Sequence, residues 1–242
     1  MFKSIKYGKF YIEKLVGRGL QANVYLIRLK NTNEKMVFKN FLKGCYYNNE
    51  ISFLKSLQHE NIVKINDDNI IRDGVKISGF LMPYYPKGCL YDNQDSVFNK
   101  FNDVWKGMNC IHKNNIIHRD IKPQNMLCDI DNKIIICDFG LSTCKNNIFG
   151  RAGSLLYASP EMLNLKKYDE KTDIWSVGIT YLVLVKSDTF VLDIKNIIDK
   201  YGWKGLENSN VWYTFSDYSR NILKGTLCVN KNDRASADEM II

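Results

Sequence analysis

The apolar pattern of this 242-residue chain turns from mainly strand-like to mainly helical after Pro86-Lys87-Gly88, and that switch limits the fold more than any other feature. Before it, residues 11–16, 24–29 and 35–41 mix alternating and continuous apolar positions, with Gly17, Gly19, Asn31 and Asn33 in the turns. Short strands read this way. One helical pattern interrupts them at 48–57, where Ile51, Leu54 and Leu57 recur at helical spacing, and further strands are expected near 62–65, 70–72 and 76–82. After the switch, Val97, Phe101, Val104, Met108 and Ile111 mark an amphipathic helix, residues 134–137 read as a strand, and more helices follow. The expected architecture is α+β, a single unit over 1–242. A β-rich lobe with one helix covers about 1–84, a mainly helical lobe covers about 85–242, and a ligand cleft lies between them.

Composition excludes several alternatives. Hydrophobic residues make up 45% and charged residues 25%, an ordinary globular balance rather than a disordered one. The longest apolar run, 174–185, is too short to span a bilayer and reads as a buried helix. The segment from Met1 to Tyr7 lacks a signal-peptide core, and Phe2 stands where N-terminal myristoylation needs glycine, so no membrane attachment is expected. Seven scattered cysteines without a C-x-x-C pair point to reduced thiols in the cytoplasm or nucleus, not to disulfides or zinc. Net charge is +8, but the lysines are spread along the chain without aromatic-basic clustering. That favours acidic protein partners over nucleic acid.

The chemistry concentrates in a few segments. Gly17-Arg18-Gly19 lies between two strands, where backbone N–H groups can approach phosphate oxygens, although a lone glycine loop is more often a hairpin turn. Lys39 falls in a strand and Glu50 in the short helix; an inward-facing Glu50 needs a cation, which Lys39 would supply. The segment His118-Arg119-Asp120-Ile121-Lys122-Pro123-Gln124-Asn125 offers a carboxylate, a cation two residues on and a carboxamide five residues on. A carboxylate can take the proton of an attacking hydroxyl, a lysine can neutralise charge on a moving phosphoryl group, and an asparagine oxygen can bind a hard cation. Asp138-Phe139-Gly140 adds a second carboxylate behind a buried strand.

These segments resemble the catalytic loop and the metal-binding motif of eukaryotic protein kinases of the serine/threonine class. The other motifs follow in family order: the glycine loop, Lys39, Glu50, Ser159-Pro160-Glu161, Asp173-Ile174-Trp175-Ser176-Val177-Gly178 and Arg234, so the resemblance covers nearly the whole chain. It implies a two-lobed kinase fold that uses ATP with Mg²⁺ (or Mn²⁺) to phosphorylate a protein hydroxyl. By that resemblance Gly17, Arg18, Gly19 and Val24 cover the nucleotide, and Lys39 contacts its phosphates and pairs with Glu50. Val37 lies above the adenine and Leu127 below it, Met82 is the gatekeeper, and Pro83 to Tyr85 form the hinge. Asp120 orients the acceptor hydroxyl, Lys122 steadies the transferred group, and Asn125 and Asp138 hold the metal. Leu54, Ile65, His118 and Phe139 form an apolar column, Glu161 and Arg234 an ion pair, and Asp173 the anchor of the catalytic loop. Serine/threonine specificity follows from Lys122 and from Ser154, which resembles the hydroxyl that bridges the catalytic aspartate and lysine.

Departures from the family pattern carry their own expectations. Ala22 replaces the third glycine, Val37 replaces an alanine and crowds the adenine site, and the short link from Lys39 to Glu50 leaves no room for an extra helix. Residues 145–152 contain no Ser, Thr or Tyr, so activity is expected without phosphorylation there, with order supplied by packing of Phe149 or by a partner. Gln124 and Cys89 stand where arginine-directed kinases carry acids; with Lys145 and Arg151 nearby, acidic or neutral substrates are expected. The Cys137 sulfur either faces the nucleotide or fills the core. The chain starts just before the glycine loop and stops soon after Arg234, so no attached regulatory domain is expected, and a monomer is. A pseudokinase scaffold that binds ATP without transfer is the alternative reading, opposed by intact Lys39, Asp120, Asn125 and Asp138.

Overall fold

The computed structural model describes residues 6–7, 10–42, 48–68, 71–72, 75–76, 78–92, 100–145 and 148–242; for 6, 7, 48, 71, 72, 75 and 76 it is the backbone that is described. The expectations for Cys45, Ile70, Val97 and the link at 43–47 fall outside those residues.

Five antiparallel strands build the first lobe, in the order β1 (Lys6–Tyr7), β2 (Phe10–Arg18), β3 (Ala22–Leu29), β4 (Lys35–Phe41) and β7 (Gly79–Pro83). Strand β4 is central, so both of its faces are covered. Met36 and Phe38 join Phe10, Ile27 and Leu81 on the outer face. Val37, Lys39 and Phe41 alternate to the other face, where Phe41 tilts against Phe80 at 5.9 Å. Helix α1 (Asn48–Ser56) packs there through buried Leu54, while β5 (Ile71–Arg72) and β6 (Val75–Lys76) form a separate ribbon. The strand expected at 62–65 is not formed: Ile62 makes a single bridge to Ile136, and residues 63–65 run as irregular chain between the lobes.

The second lobe is organised around α4 (Lys171–Val185), whose residues from Thr172 to Leu184 are all buried, as the apolar run requires. Helix α2 (Asn102–Lys113) buries Val104, Met108 and Ile111 against the small sheet of β9 (Met126–Cys128) and β10 (Ile134–Ile136). Strand β8 (Ile116–Ile117) pairs with β11 (Thr143–Cys144). Helices α3 (Pro160–Leu163), α5 (Asp188–Tyr201), α6 (Trp203–Glu207) and α7 (Asp217–Thr226) complete the lobe. Arg234 is 2% exposed and donates to both carboxylate oxygens of Glu161 at 2.6 and 2.7 Å, with its guanidinium 5.0 Å from the Trp175 ring centre. Among the described residues no helix is long and apolar enough to cross a membrane, and the six cysteines are free thiols.

Candidate active site

Two side-chain clusters meet where the lobes join. The first is centred on Lys39. Its Nζ lies 2.6 Å from Glu50 Oε1 and 2.7 Å from Asp138 Oδ1, so β4, α1 and the end of β10 converge on one ammonium. Burial disfavours the charged lysine, but the Glu50 and Asp138 carboxylates outweigh it and hold the pKa above the usual range. Burial raises the Glu50 carboxyl despite Lys39. Asp138 moves the other way: burial opposes ionisation, yet Lys39 wins and keeps this residue ionised. Its side chain is about half exposed, which leaves a carboxylate facing the cleft.

The second cluster is centred on Asp120. Lys122 Nζ sits 2.7 Å from Asp120 Oδ2 and 2.9 Å from Ser154 Oγ. Ser154 donates its N–H and its hydroxyl to Asp120 Oδ1, at 3.1 and 3.2 Å. Asn125 spends its amide nitrogen on the Asp120 carbonyl and Oδ2, at 2.8 and 2.9 Å, which leaves Oδ1 as its acceptor. The loop is fixed from below. Buried Asp173 accepts the N–H of His118 and of Arg119, each at 2.8 Å, and contacts His112 Nε2 at 3.1 Å. Arg119 thereby holds φ 68°, and Asp138 holds φ 65°. Non-glycine residues pay for that conformation, and here the surrounding bonds over-determine it.

Cys137 ties the clusters together: its N–H reaches the Asn125 carbonyl at 2.9 Å and its carbonyl lies 3.1 Å from His118 Nε2. Phe139 sits edge-on to His118 at 4.8 Å, and Leu54 and Ile65 belong to the same apolar cluster. The Cys137 thiol is buried, and burial with the neighbouring Asp138 carboxylate raises its pKa.

The cleft roof follows from strand register. Gly17 pairs with Val24, Val24 with Lys39, and Val37 with Met82, while Pro83 ends β7 opposite Met36. Tyr85 and Leu127 pack on the core below, Leu127 bridges to Cys89, and burial pushes the Tyr85 phenol up to about 12. Arg18 is exposed at the end of β2. A side chain at Gly17 or Gly19 would meet nothing nearer than 3.5 Å, so packing within the protein does not demand glycine there. The open space suits phosphate oxygens. The donor set suits a hard cation: one carboxylate and one carboxamide oxygen, the small protein share that magnesium takes when phosphates complete its shell.

Sequence reasoning missed four partners. Gln21 Oε1 lies 3.0 Å from the position of a Cβ on Gly140, placing the glycine-loop tip over the second acidic motif. His112 is 61 residues from Asp173 in sequence, and no local pattern links them. Gly153, at φ 71°, lets the chain pass against the Arg119 carbonyl. Residues 141–145 and 148–151 are held by Arg119 Nε on the Leu141 carbonyl (2.6 Å), by Lys145 on Glu170 (3.1 Å) and by an Ile148–Tyr168 bridge. Phe149, expected to pack, is instead 57% exposed with Lys167 over its ring, because that backbone is already held on both sides.

Comparison with known sequences agrees with this geometry. The family model "Protein kinase domain" matches residues 10–242. The chain is 30% identical to the serine/threonine-protein kinase CLA4 of Candida albicans over 96% of its own length and 26% of the relative's. It is 29% identical to CBL-interacting protein kinase 2 of Oryza sativa, over 96% of this chain and 57% of that one. The Arabidopsis thaliana CBL-interacting serine/threonine-protein kinase 12 is 33% identical over 74% of this chain and 40% of its own. The chain thus spans between about a quarter and three fifths of the curated relatives it matches. Residues 10–242 place it in the protein kinase domain family.

Proposed function

We propose that residues 1–242 are one catalytic domain, divided near residue 84, that transfers the terminal phosphoryl group of ATP to a serine or threonine of a protein. The observation that carries the reading is the Asp120 carboxylate, held by Lys122, Asn125 and Ser154 beside the Lys39–Asp138 pair. Bound Mg²⁺ (or Mn²⁺) with ATP would supply the phosphoryl group and the charge that draws electrons toward the leaving phosphate. Asp138 and the Asn125 oxygen would hold the metal, and Lys39 would hold the phosphates against Glu50. Gly17, Arg18, Gly19 and Val24 cover the nucleotide; Val37, Met82, Pro83, Tyr85 and Leu127 enclose its base. Asp120 aims the acceptor hydroxyl and accepts its proton. Lys122 neutralises charge on the moving group, and Ser154 keeps both in register.

The test is radiolabelled phosphate transfer to a generic substrate, with Asp138→Ala as control. Nucleotide binding without transfer would assign the chain to the pseudokinase scaffolds. Free thiols support a cytoplasmic or nuclear setting. Acidic or neutral substrates are supported by Gln124, although Lys145 is neutralised by Glu170. The ties at Leu141, Lys145 and Ile148 support activity without phosphate at 145–152. Ser142 is buried, so loss of activity on phosphatase treatment, traced to Thr143, would defeat that idea.

A further inference from the structure

Lysines that look evenly spread along the chain are gathered by folding. Lys200, Lys204 and Lys224 line one open groove of about 570 Å³ where α5 gives way to α6 beside the end of α7. Tyr201, Trp203 and Asp233 form other parts of its wall. The Trp203 N–H donates to the Leu227 carbonyl at 2.8 Å, which joins the two sides of the groove. Among the described residues none of the three lysines is in a salt bridge.

Aromatic rings hold these cations instead. Lys224 Nζ lies 5.1 Å from the Trp203 ring centre and 5.7 Å from that of Trp212, Lys204 lies 5.9 Å from Trp203, and Lys200 lies 5.0 Å from Tyr201. A lysine stem resting on a ring has already lost part of its freedom, so its ammonium binds an anion at lower entropic cost.

We infer that this groove binds an acidic peptide segment of a partner protein, with Asp and Glu carboxylates paired to Lys200, Lys204 and Lys224. Charge complementarity identifies the occupant: three ammonium groups face one carboxylate, Asp233, in a chain of net charge +8. Nucleic acid fits less well. Single strands bind through free aromatic faces, whereas Trp203 carries two lysines and packs 6.0 Å from Trp212. The groove is also tied to the catalytic half of the lobe. Arg234 Nε takes the Cys228 carbonyl at 2.7 Å while its guanidinium holds Glu161, which follows the segment that presents Ser154. As a substrate-docking site the groove rests on the kinase reading; as a peptide site it does not.

The test is fluorescence anisotropy of a labelled poly-glutamate peptide with the whole chain, beside poly-serine and oligo-thymidylate probes. Saturable binding of poly-glutamate is expected, weakened by salt and weakened about tenfold in Lys204→Glu/Lys224→Glu, a change of ~1.4 kcal/mol. Lys204→Gln/Lys224→Gln, which shortens both stems and removes the charge, should weaken it less, and Lys35→Glu/Lys64→Glu, outside the groove, should leave it unchanged. Circular dichroism shows whether each variant is folded. The inference is overturned by no binding, by equal weakening in the Lys35/Lys64 variant, or by tighter oligo-thymidylate binding lost in the same groove variants. If the chain transfers no phosphate but poly-glutamate still binds with this variant pattern, the groove stands and the kinase reading falls.

Discussion

Gly153→Ala separates the cost of a backbone conformation from the cost of displacing a catalytic loop. A Cβ at residue 153 would lie 2.3 Å from the Arg119 carbonyl oxygen and 2.9 Å from Asp120 Oδ1, where ordinary contact begins near 3.4 Å. One of the two backbones must move by about 1 Å, a misplacement that costs on the order of 10²-fold in rate at a positioned catalytic group. Asp173 pins the Arg119 side through the N–H bonds of His118 and Arg119, so the 153–154 side yields and carries Ser154 away from Asp120 and Lys122. Residue 153 also sits at φ 71°, which costs alanine about 1–2 kcal/mol of stability. Gly150 is the control: at φ 88° it pays the same conformational cost, but its Cβ would meet nothing within 4 Å. Both variants should lose stability in denaturant titrations, Gly153→Ala by about 1–3 kcal/mol more because the overlap must also be relieved. In steady-state phosphate transfer only Gly153→Ala should lose kcat, by about 10²-fold, with the KM for ATP unchanged because Lys39 and Asp138 are untouched. Equal kcat in the two variants would refute the packing argument.

Three further outcomes follow from buried titratable groups. Lys39→Met should abolish transfer and cost up to about 3 kcal/mol, since it strands the buried Glu50. Adding Glu50→Gln should restore stability without activity in denaturation and transfer assays, and a double variant weaker than the single one would show that the pair is not coupled. Asp173 has its pKa lowered: burial opposes ionisation, but His112 and the Arg119 N–H outweigh it. Its contribution is therefore present above the unfolded carboxylate value of about 3.9 and lost as pH falls through the folded value. Asp173→Asn should be less stable at neutral pH by roughly 2 kcal/mol, because an amide offers one acceptor oxygen to two N–H donors. That gap should narrow on acidification, and a gap constant down to about pH 3 would be incompatible with the assignment. Cys137, buried with a raised thiol pKa, should resist alkylation by an ATP-site reagent in the native protein and react on unfolding; ATP-blocked labelling of the native chain would reverse that.

Most of the cleft was legible because its groups sit in short segments whose spacing is fixed by backbone geometry. Asp120, Lys122 and Asn125 share one loop, and three of the four bonds that Lys122 and Asn125 make to Asp120 and Ser154 span only two or five residues. The Lys39–Glu50 pair spans eleven residues, and a buried glutamate on a short helix demands a cation within reach. His112 and Asp173 span 61 residues, and nothing local to either announces the other. The strand expected at 62–65 failed for a related reason. Ile62 and Val63 are buried because they cross between lobes, so their apolar character reports burial alone, and the one bridge, Ile62 to Ile136, leaves no ladder to join.

The same distinction explains why sequence spacing did not disclose the lysine groove. Lys200 and Lys204 are close in sequence, but Lys224 reaches them only because α7 ends beside the α5–α6 corner. Charge spacing along a chain reports partners when the charges share one helix face or one loop; it is silent when a tertiary corner assembles them. Glycine spacing has the converse ambiguity. Gly17 and Gly19 read as a turn or as a phosphate cradle from spacing alone, and what an added side chain would touch separates glycines that the fold requires from those it does not. At Gly153 the neighbour is the protein's own catalytic loop, so the fold demands glycine. At Gly17 and Gly19 the nearest protein atom would lie 3.6 and 3.5 Å away, so packing within the fold does not demand glycine there.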